Sequence, residues 1–274
     1  MRLSRLLTVV ALVLASLVFL TPFYMSLMTA LKTPGEIATT SNLAPPQNLT
    51  WDNFRLVLTN ENVSFFKLFF NTLFIAVAAT TGVLVSSSVV AYAFARVKFP
   101  GRDRLFIVLL GTMMLPGIVT MIPSYLLFKN FGWINTNFPL WVPAWFGGGA
   151  YNIFLLRQFF MGIPRELDEA AVIDGASHWT IFSRVITPLS KPALATVGVF
   201  AVIYNWRDFL GPLIYLNDSD KQTLELGLST FNSLNSQQWN LLMAGSVLVL
   251  MPLVVVFFLG QRYFVNGISM SGIK

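Results

Sequence analysis

The chain of 274 residues contains no cysteine and one histidine, and only 11% of its residues are charged. The absence of cysteine excludes disulfide bonds, thiolate metal sites, a cysteine nucleophile and lipidation of cysteine. A single histidine argues against a histidine metal cage or a histidine-dependent catalytic triad. The chain also lacks the G-x-x-x-x-G-K-[ST] pattern that holds nucleotide phosphates. We therefore expect no catalytic residue, no metal and no cofactor on this chain.

Apolar residues make up 55% of the sequence, including 25 phenylalanines, and the mean hydropathy is +0.68. Soluble domains are about a quarter charged and less than half apolar. So few ionic groups could not cover the surface of a water-soluble fold of this size. The composition therefore indicates a protein whose solvent is largely lipid.

Six apolar runs are long enough to cross about 30 Å of hydrocarbon as helices. The first resembles a signal peptide, but it is too long and lacks a small-residue cleavage site, so we expect a retained helix. Glycines 147–149 interrupt the fourth, and Pro116 and Pro123 are expected to bend the third and free the Thr112 carbonyl. We predict one all-α transmembrane domain over residues 1–274, with spans at 6–30, 68–95, 105–128, 138–160, 192–216 and 241–263.

Lysine and arginine are unevenly distributed over the segments that connect these runs. If the N-terminus is cytoplasmic, twelve of the 18 cations fall on inside segments and five on outside segments, and Arg207 falls within a span. Cytoplasmic loops of membrane proteins carry an excess of these residues. We therefore predict that both termini are cytoplasmic. The net charge of +6 is then explained by membrane orientation, and nucleic-acid binding is the weaker alternative.

Residues 161–191, between the fourth and fifth runs, form an inside segment much longer than a turn. Pro164 suits the first position of a helix, and three acidic residues follow in its first turns, where the helix dipole favours negative charge. Gly175 is expected to stop this helix, because glycine readily adopts the left-handed conformation that ends many helices.

A second short helix is predicted after this stop. Ser177 suits its N-cap, and Pro188 and Pro192 are expected to end the helix beyond Arg184. We call the helix–turn–helix segment of residues 161–191 the elbow. Its small and apolar residues favour docking of a soluble partner, and the alternative is an amphipathic elbow that lies on the bilayer surface.

The elbow resembles the EAA loop of ABC importer permeases, in which E-A-A, three residues, G, nine residues and I-x-L-P follow one another. Here the pattern reads Glu169-Ala170-Ala171, Gly175 and Val185-Ile186-Thr187-Pro188, with Val and Thr in place of the family's Ile and Leu. Residues 71–72, 91–96, 206–216 and 260–267 resemble the carbohydrate-uptake branch, of the maltose-permease second-subunit kind. Arg207 departs from this resemblance, because family members usually have Asn there.

The resemblance implies a permease subunit of a binding-protein-dependent importer in the inner (cytoplasmic) membrane, for a sugar, oligosaccharide or related polyol. The implied partners are a second permease chain, two ATP-binding subunits that would hold ATP and Mg²⁺, and an extracytoplasmic binding protein. The elbow would fit a groove on an ATP-binding subunit. The implied coupling residues are Glu166, Glu169, Ala170, Ala171, Asp174, Gly175 and Pro188.

The fifth run contains the densest set of polar residues within any span. Polar groups in hydrocarbon usually face a cavity or a partner. Pro212 cannot donate to the carbonyl of Asp208, so a kink is expected at this level. Three roles remain open for these polar residues: they line the translocation pathway, they contact another subunit, or they anchor the chain at the membrane interface. The pathway candidates are Tyr204, Asn205, Trp206, Arg207, Asp208 and Pro212, and the binding-protein contact candidates in the outside loop are Gln237 and Trp239.

Two other classes of protein fit the sequence less well than the permease. A secondary transporter would show an inverted repeat and a titratable acid for ion coupling, but only Asp208 qualifies and no repeat is visible. An intramembrane hydrolase would need a buried nucleophile and base, but the only histidine lies in the elbow. The ATP-driven permease subunit is therefore the predicted function.

Overall fold

The computed structural model describes residues 2–60, 64–233 and 238–270, and the side chains of 5–60, 64–229 and 238–261. Every regular element in these ranges is helical, as predicted. Within these ranges, three helices are each long and apolar enough to cross a membrane, and two bent helix pairs could each add one crossing. The three helices are Arg5–Ala30, Phe65–Arg96 and Trp239–Gln261, which agree with the first, second and sixth predicted spans.

The helices are numbered in chain order. The first part contains α1 (Arg2–Ala30), α2 (Pro34–Thr39), α3 (Asp52–Leu58) and α4 (Phe65–Arg96). The middle part contains α5 (Arg102–Thr112), α6 (Gly117–Asn130), α7 (Phe138–Trp141), a 3₁₀ turn (Val142–Trp145) and α8 (Ala150–Met161). The last part contains α9 (Glu166–Ile173), α10 (His178–Ile181), a π-helix (Phe182–Ile186), α11 (Thr187–Leu189), α12 (Lys191–Trp206), α13 (Leu210–Tyr215), a 3₁₀ turn (Ser219–Lys221), α14 (Leu224–Ser233) and α15 (Trp239–Met270).

The third predicted span is broken into α5 and α6, which meet at an angle of 97°. Pro116 is the residue before α6, so the bend predicted there is confirmed. The Thr112 carbonyl is not free as expected, because it accepts a hydrogen bond of 3.2 Å from the N–H of Leu115. Pro123 lies inside α6, which continues to Asn130.

Residues 138–160 do not form one continuous helix, and the interruption lies at the glycines where it was predicted. The helical chain ends at Trp145, and α8 begins only at Ala150. Gly147, Gly148 and Gly149 have φ angles of 121°, 62° and 86°. A right-handed helix requires negative φ, and only glycine adopts positive φ without strain, so three such residues in succession interrupt the helix.

This interruption packs closely against small residues of α4. The Ser86 hydroxyl donates to the carbonyl of Ala144 at 2.8 Å, and the Trp145 indole donates to the carbonyl of Ala78 at 3.2 Å. A Cβ on Gly148 would lie 2.7 Å from the carbonyl oxygen of Val83. Glycine at this position therefore permits a backbone contact that any side chain would block.

We expect Gly148→Ala to destabilise the protein more than Gly147→Ala. Both positions have positive φ, so both variants carry backbone strain of about 1–3 kcal/mol. A Cβ at Gly147 meets nothing within 4 Å, whereas a Cβ at Gly148 meets the backbone of α4. Overpacking at Gly148 should add about 1–3 kcal/mol. Thermal unfolding of the two purified variants measures the difference, and equal melting temperatures would contradict the packing described.

The chain divides into two compact units, residues 1–67 with 224–252 and residues 68–223 with 253–274. In the first unit, the buried Asn53 joins three segments. Its side-chain N–H donates to the carbonyls of Ala30 and Lys32, each at 2.8 Å, and its side-chain oxygen accepts from Asn240 at 2.7 Å. The elbow and the pathway candidates lie in the second unit.

Candidate functional site

The first helix of the elbow is α9, and its end is the one that was predicted. Gly175 adopts a left-handed φ of 79°. The N–H of Ala176 donates to the carbonyl of Ala171 at 2.9 Å, which closes the helix in a Schellman arrangement. The predicted start at Pro164 was wrong, because the first backbone bonds of the helix go to the carbonyl of Arg165 and α9 begins at Glu166.

The second helix of the elbow begins as predicted but runs further. The Ser177 hydroxyl accepts from the N–H of Thr180 at 3.2 Å, which confirms its role as N-cap. The helical chain then continues past Pro188 to Leu189, so the predicted end beyond Arg184 was wrong. The π-helix immediately before Pro188 explains this, because a widened turn accommodates a residue that cannot donate a backbone hydrogen bond.

The inner face of the elbow is fixed to neighbouring helices by buried apolar side chains. Ile181, Phe182 and Ile186 belong to one core cluster with residues of α4, α8 and α12. The ring of Phe182 lies 5.2 Å from that of Tyr92 on α4, measured between centroids. The elbow is therefore packed as part of the second unit rather than extended as a free loop.

A buried arginine at the end of α4 fixes the first elbow helix. The Arg96 side chain is 3% exposed and forms a salt bridge of 3.2 Å with Asp168 on α9. Its guanidinium also donates to the carbonyl of Phe160 at the end of α8 and to that of Ile163 in the turn before α9. Sequence reasoning missed this pair, because Arg96 counted only as an inside cation and Asp168 only as a helix-dipole residue. The available signal for this pair was the position of Arg96, a charged residue at the end of an apolar span.

The outer face of the elbow exposes large apolar side chains. Ile173 is 86% exposed and Trp179 is 66% exposed, and Val172 is also exposed. Such a patch on a folded surface commonly marks an interaction site. Ala171 differs from this group, because it is partly buried and packs against the core cluster of its own chain. The other coupling candidates are exposed, namely Glu166, Glu169, Ala170, Asp174, Gly175 and Pro188.

The pathway candidates lie at a break between α12 and α13. A cavity of about 1050 Å³ is lined there by Tyr204, Asn205, Arg207 and Asp208 together with the glycines that precede α8. Tyr204 is 77% exposed. Four of the six candidates are thus brought together around one cavity, whose remaining lining is largely apolar.

Trp206 and Pro212 do not line this cavity. Trp206 is 3% exposed and packs edge-on against Phe69, with 5.8 Å between ring centroids, so it cannot stack on a solute in this structure. The break lies at residues 207–209, which is the level of Asp208 where the kink was predicted. Asp208 causes it in part, because its carboxylate accepts from the N–H of Gly211 at 3.0 Å. Pro212 occupies the first turn of α13, where its missing N–H removes no intrahelical bond.

The loop that follows α13 is organised by Asn135, which sequence reasoning did not single out. Its side-chain oxygen accepts from the N–H groups of Asn217 and Asp218 at 3.2 and 3.0 Å. Lys221 donates to the Asn135 carbonyl at 2.9 Å. Of the two binding-protein contact candidates, Trp239 is exposed at the start of α15, and Gln237 lies outside the described residues.

A helical chain with apolar spans, an exposed elbow and a cavity with several polar side chains at a broken helix has the features of a membrane transport permease. Residues 87–270, more than half of the chain, match the family described as the binding-protein-dependent transport system inner membrane component. The chain therefore belongs to this family of inner-membrane transport components. Its members are transport permeases and not enzymes.

Individual relatives match nearly the whole chain. It is 35% identical over 269 residues to the probable starch degradation products transport system permease protein AmyC of Thermoanaerobacterium thermosulfurigenes, covering 98% of this chain and 96% of the relative. It is 32% identical over 261 residues to the arabinooligosaccharides transport system permease protein AraQ of Bacillus subtilis (strain 168), covering 94% and 92%. A chain of a bacterial ABC transporter involved in alginate import has a TM-score of 0.85 at 24% identity, covering 96% and 97%.

Proposed function

We propose that this chain is one transmembrane permease subunit of an ATP-driven importer for a sugar, an oligosaccharide or a related polyol. It forms half of the translocation pathway, and a second permease chain forms the other half. Its residues 1–274 make one permease domain that crosses the membrane six times with both termini in the cytoplasm. The fourth crossing consists of α7, the glycine break and α8, because broken backbone is tolerated in a membrane where protein buries it.

The observation that carries this proposal is the continuity between the elbow and the cavity. Helix α12 begins at Lys191, one residue after the elbow helices end, and it ends at Trp206 beside the cavity. Its 16 residues span about 24 Å without a break. A displacement of the elbow therefore reaches Tyr204 and Arg207 through one rigid helix.

The elbow is the docking surface for an ATP-binding subunit. Its inner face is fixed to α4, α8 and α12, and its outer face presents Ala170, Val172, Ile173 and Trp179. Two such subunits bind ATP and Mg²⁺ and hydrolyse the nucleotide. The residues that contact the ATP-binding subunit, or determine how closely it approaches, are Glu169, Ala170 and Gly175. Ala171 instead positions α9 from its inner side.

The solute is a carbohydrate delivered by an extracytoplasmic binding protein. Several relatives are named for oligosaccharide or starch-product transport, and a second solved structure of the same fold is an alginate transporter with a periplasmic protein. The cavity suits such a solute, because it combines the exposed Tyr204 ring with amide, guanidinium and carboxylate groups. The binding protein contacts the outside loop near Gln237 and Trp239.

Uptake by the reconstituted complex tests this function. Proteoliposomes are prepared with both permease chains, the ATP-binding subunits and the binding protein. They should accumulate labelled oligosaccharide only when ATP is enclosed on the side of the membrane where the elbow lies. Tyr204→Leu should reduce uptake about tenfold, because loss of ring stacking and a hydroxyl contact removes on the order of 1–2 kcal/mol. Tyr24→Leu, which changes an exposed tyrosine on α1, is the matched control and should transport normally. ATP-independent accumulation would contradict the proposal.

A further inference from the structure

A strongly basic pocket lies where α4 ends and α5 begins, beside the start of the elbow. The cavity measures about 590 Å³, and its lining includes the cations Lys98, Arg102, Arg104 and Arg165 and one acid, Asp103. Arg102 forms a salt bridge of 2.9 Å with Asp103. Within the described residues, no salt bridge involves the other three cations. Three positive charges thus converge on one pocket with no acidic partner.

The helices on either side of this pocket indicate its position across the membrane. α4 is an apolar span that ends at Arg96, and α5 begins the next apolar pair at Arg102. The pocket therefore lies at the boundary between hydrocarbon and water, which is where phospholipid headgroups lie. Leu105 and Val108 are exposed one turn apart on α5, directly beyond the basic residues. They offer an apolar strip to acyl chains at the matching depth.

We propose that this pocket binds the phosphate-bearing headgroup of an anionic phospholipid, with its acyl chains against Leu105 and Val108. Basic pockets between membrane helices attract anionic headgroups, and guanidinium groups bind phosphate through paired hydrogen bonds. Arg165 is the residue that precedes α9, so a bound headgroup also contacts the start of the elbow. The site is separate from the cavity at Tyr204 and takes no part in solute binding.

Lipid retention by the purified full-length protein tests this proposal. The protein in detergent is supplemented with phosphatidylglycerol or phosphatidylcholine of the same acyl chains, and native mass spectrometry measures the bound fraction. The wild type should retain phosphatidylglycerol about tenfold more strongly than phosphatidylcholine. The double variant Lys98→Gln/Arg104→Gln should lose most of this preference. The control Arg5→Gln/Lys191→Gln removes two exposed cations at the ends of other helices and should keep it.

The outcomes separate the possible ligands. Equal retention of the two lipids by the wild type overturns the proposal, whether or not the pocket variant can be purified. An unchanged preference in the pocket variant also overturns it. Displacement of phosphatidylglycerol by an equal concentration of inorganic phosphate identifies a soluble phosphate compound as the ligand and overturns the lipid assignment. Retention is measured without transport, so these results do not depend on the solute or on ATP.

Discussion

Replacement of Ile173 by aspartate is expected to abolish ATP-driven uptake while the chain remains in the membrane. Ile173 is the most exposed large apolar residue of the elbow, and its side chain contributes little to the packing of its own chain. A hot-spot residue near the centre of an interface contributes about 2 kcal/mol or more to binding, and a buried unpaired charge adds a further penalty. The affinity for the ATP-binding subunit should fall at least about 30-fold.

Co-purification of the ATP-binding subunit with the variant measures this loss directly. Ile173→Leu is the matched control, because it keeps an apolar side chain of similar volume at the same position. The control should bind and transport normally, and both variants should reach the membrane in wild-type amounts. Normal uptake by Ile173→Asp would show that the outer face of the elbow is not the docking surface.

Replacement of Arg96 by methionine is expected to destabilise the protein by about 3–5 kcal/mol, because it leaves Asp168 and two backbone carbonyls without their donor. Methionine preserves much of the side-chain volume, so the effect reports lost charge pairing rather than a cavity. The first elbow helix should also lose its fixed position. Thermal unfolding of the purified protein and the uptake rate should therefore both decline.

Two further variants separate this effect from a general loss of charge. Arg55→Met removes an exposed cation of α3 and should leave the melting temperature unchanged. Arg96→Met/Asp168→Leu removes both partners and should recover part of the stability, because the uncompensated buried carboxylate is gone. If the double variant is no more stable than Arg96→Met, then Asp168 does not contribute to stability through the ion pair.

Local sequence patterns predicted the elements of this fold that depend on neighbouring residues. The apolar runs, the break before α6 at Pro116, the stop at Gly175 and the cap at Ser177 each follow from chemistry within a few residues. The interruption of the fourth span at glycines 147–149 was also predicted, but its backbone conformation was not. Glycine permits several conformations, and the three consecutive positive φ values become favourable only where α4 offers small residues for close contact.

The parts of the site that depend on distant residues could not be predicted. Arg96 and Asp168 are 72 residues apart in sequence, and nothing near either one specifies its partner. Trp206 illustrates the same limit within one span. Its neighbours Asn205 and Arg207 face the cavity, but Trp206 packs on Phe69 of another helix. Helical spacing separates adjacent side chains by about 100°, and only the surrounding helices determine which of them meets the cavity.

The central claim is that the outer face of the elbow is held by an ATP-binding subunit on another polypeptide. Photo-crosslinking tests it most directly, with a photo-reactive amino acid placed at Ile173 in the assembled transporter within a lipid bilayer. The account predicts that irradiation joins this position to the ATP-binding subunit, and that mass spectrometry of the adduct identifies a groove on that subunit. Adducts formed with phospholipid alone would contradict it, because they would place the elbow against the membrane surface.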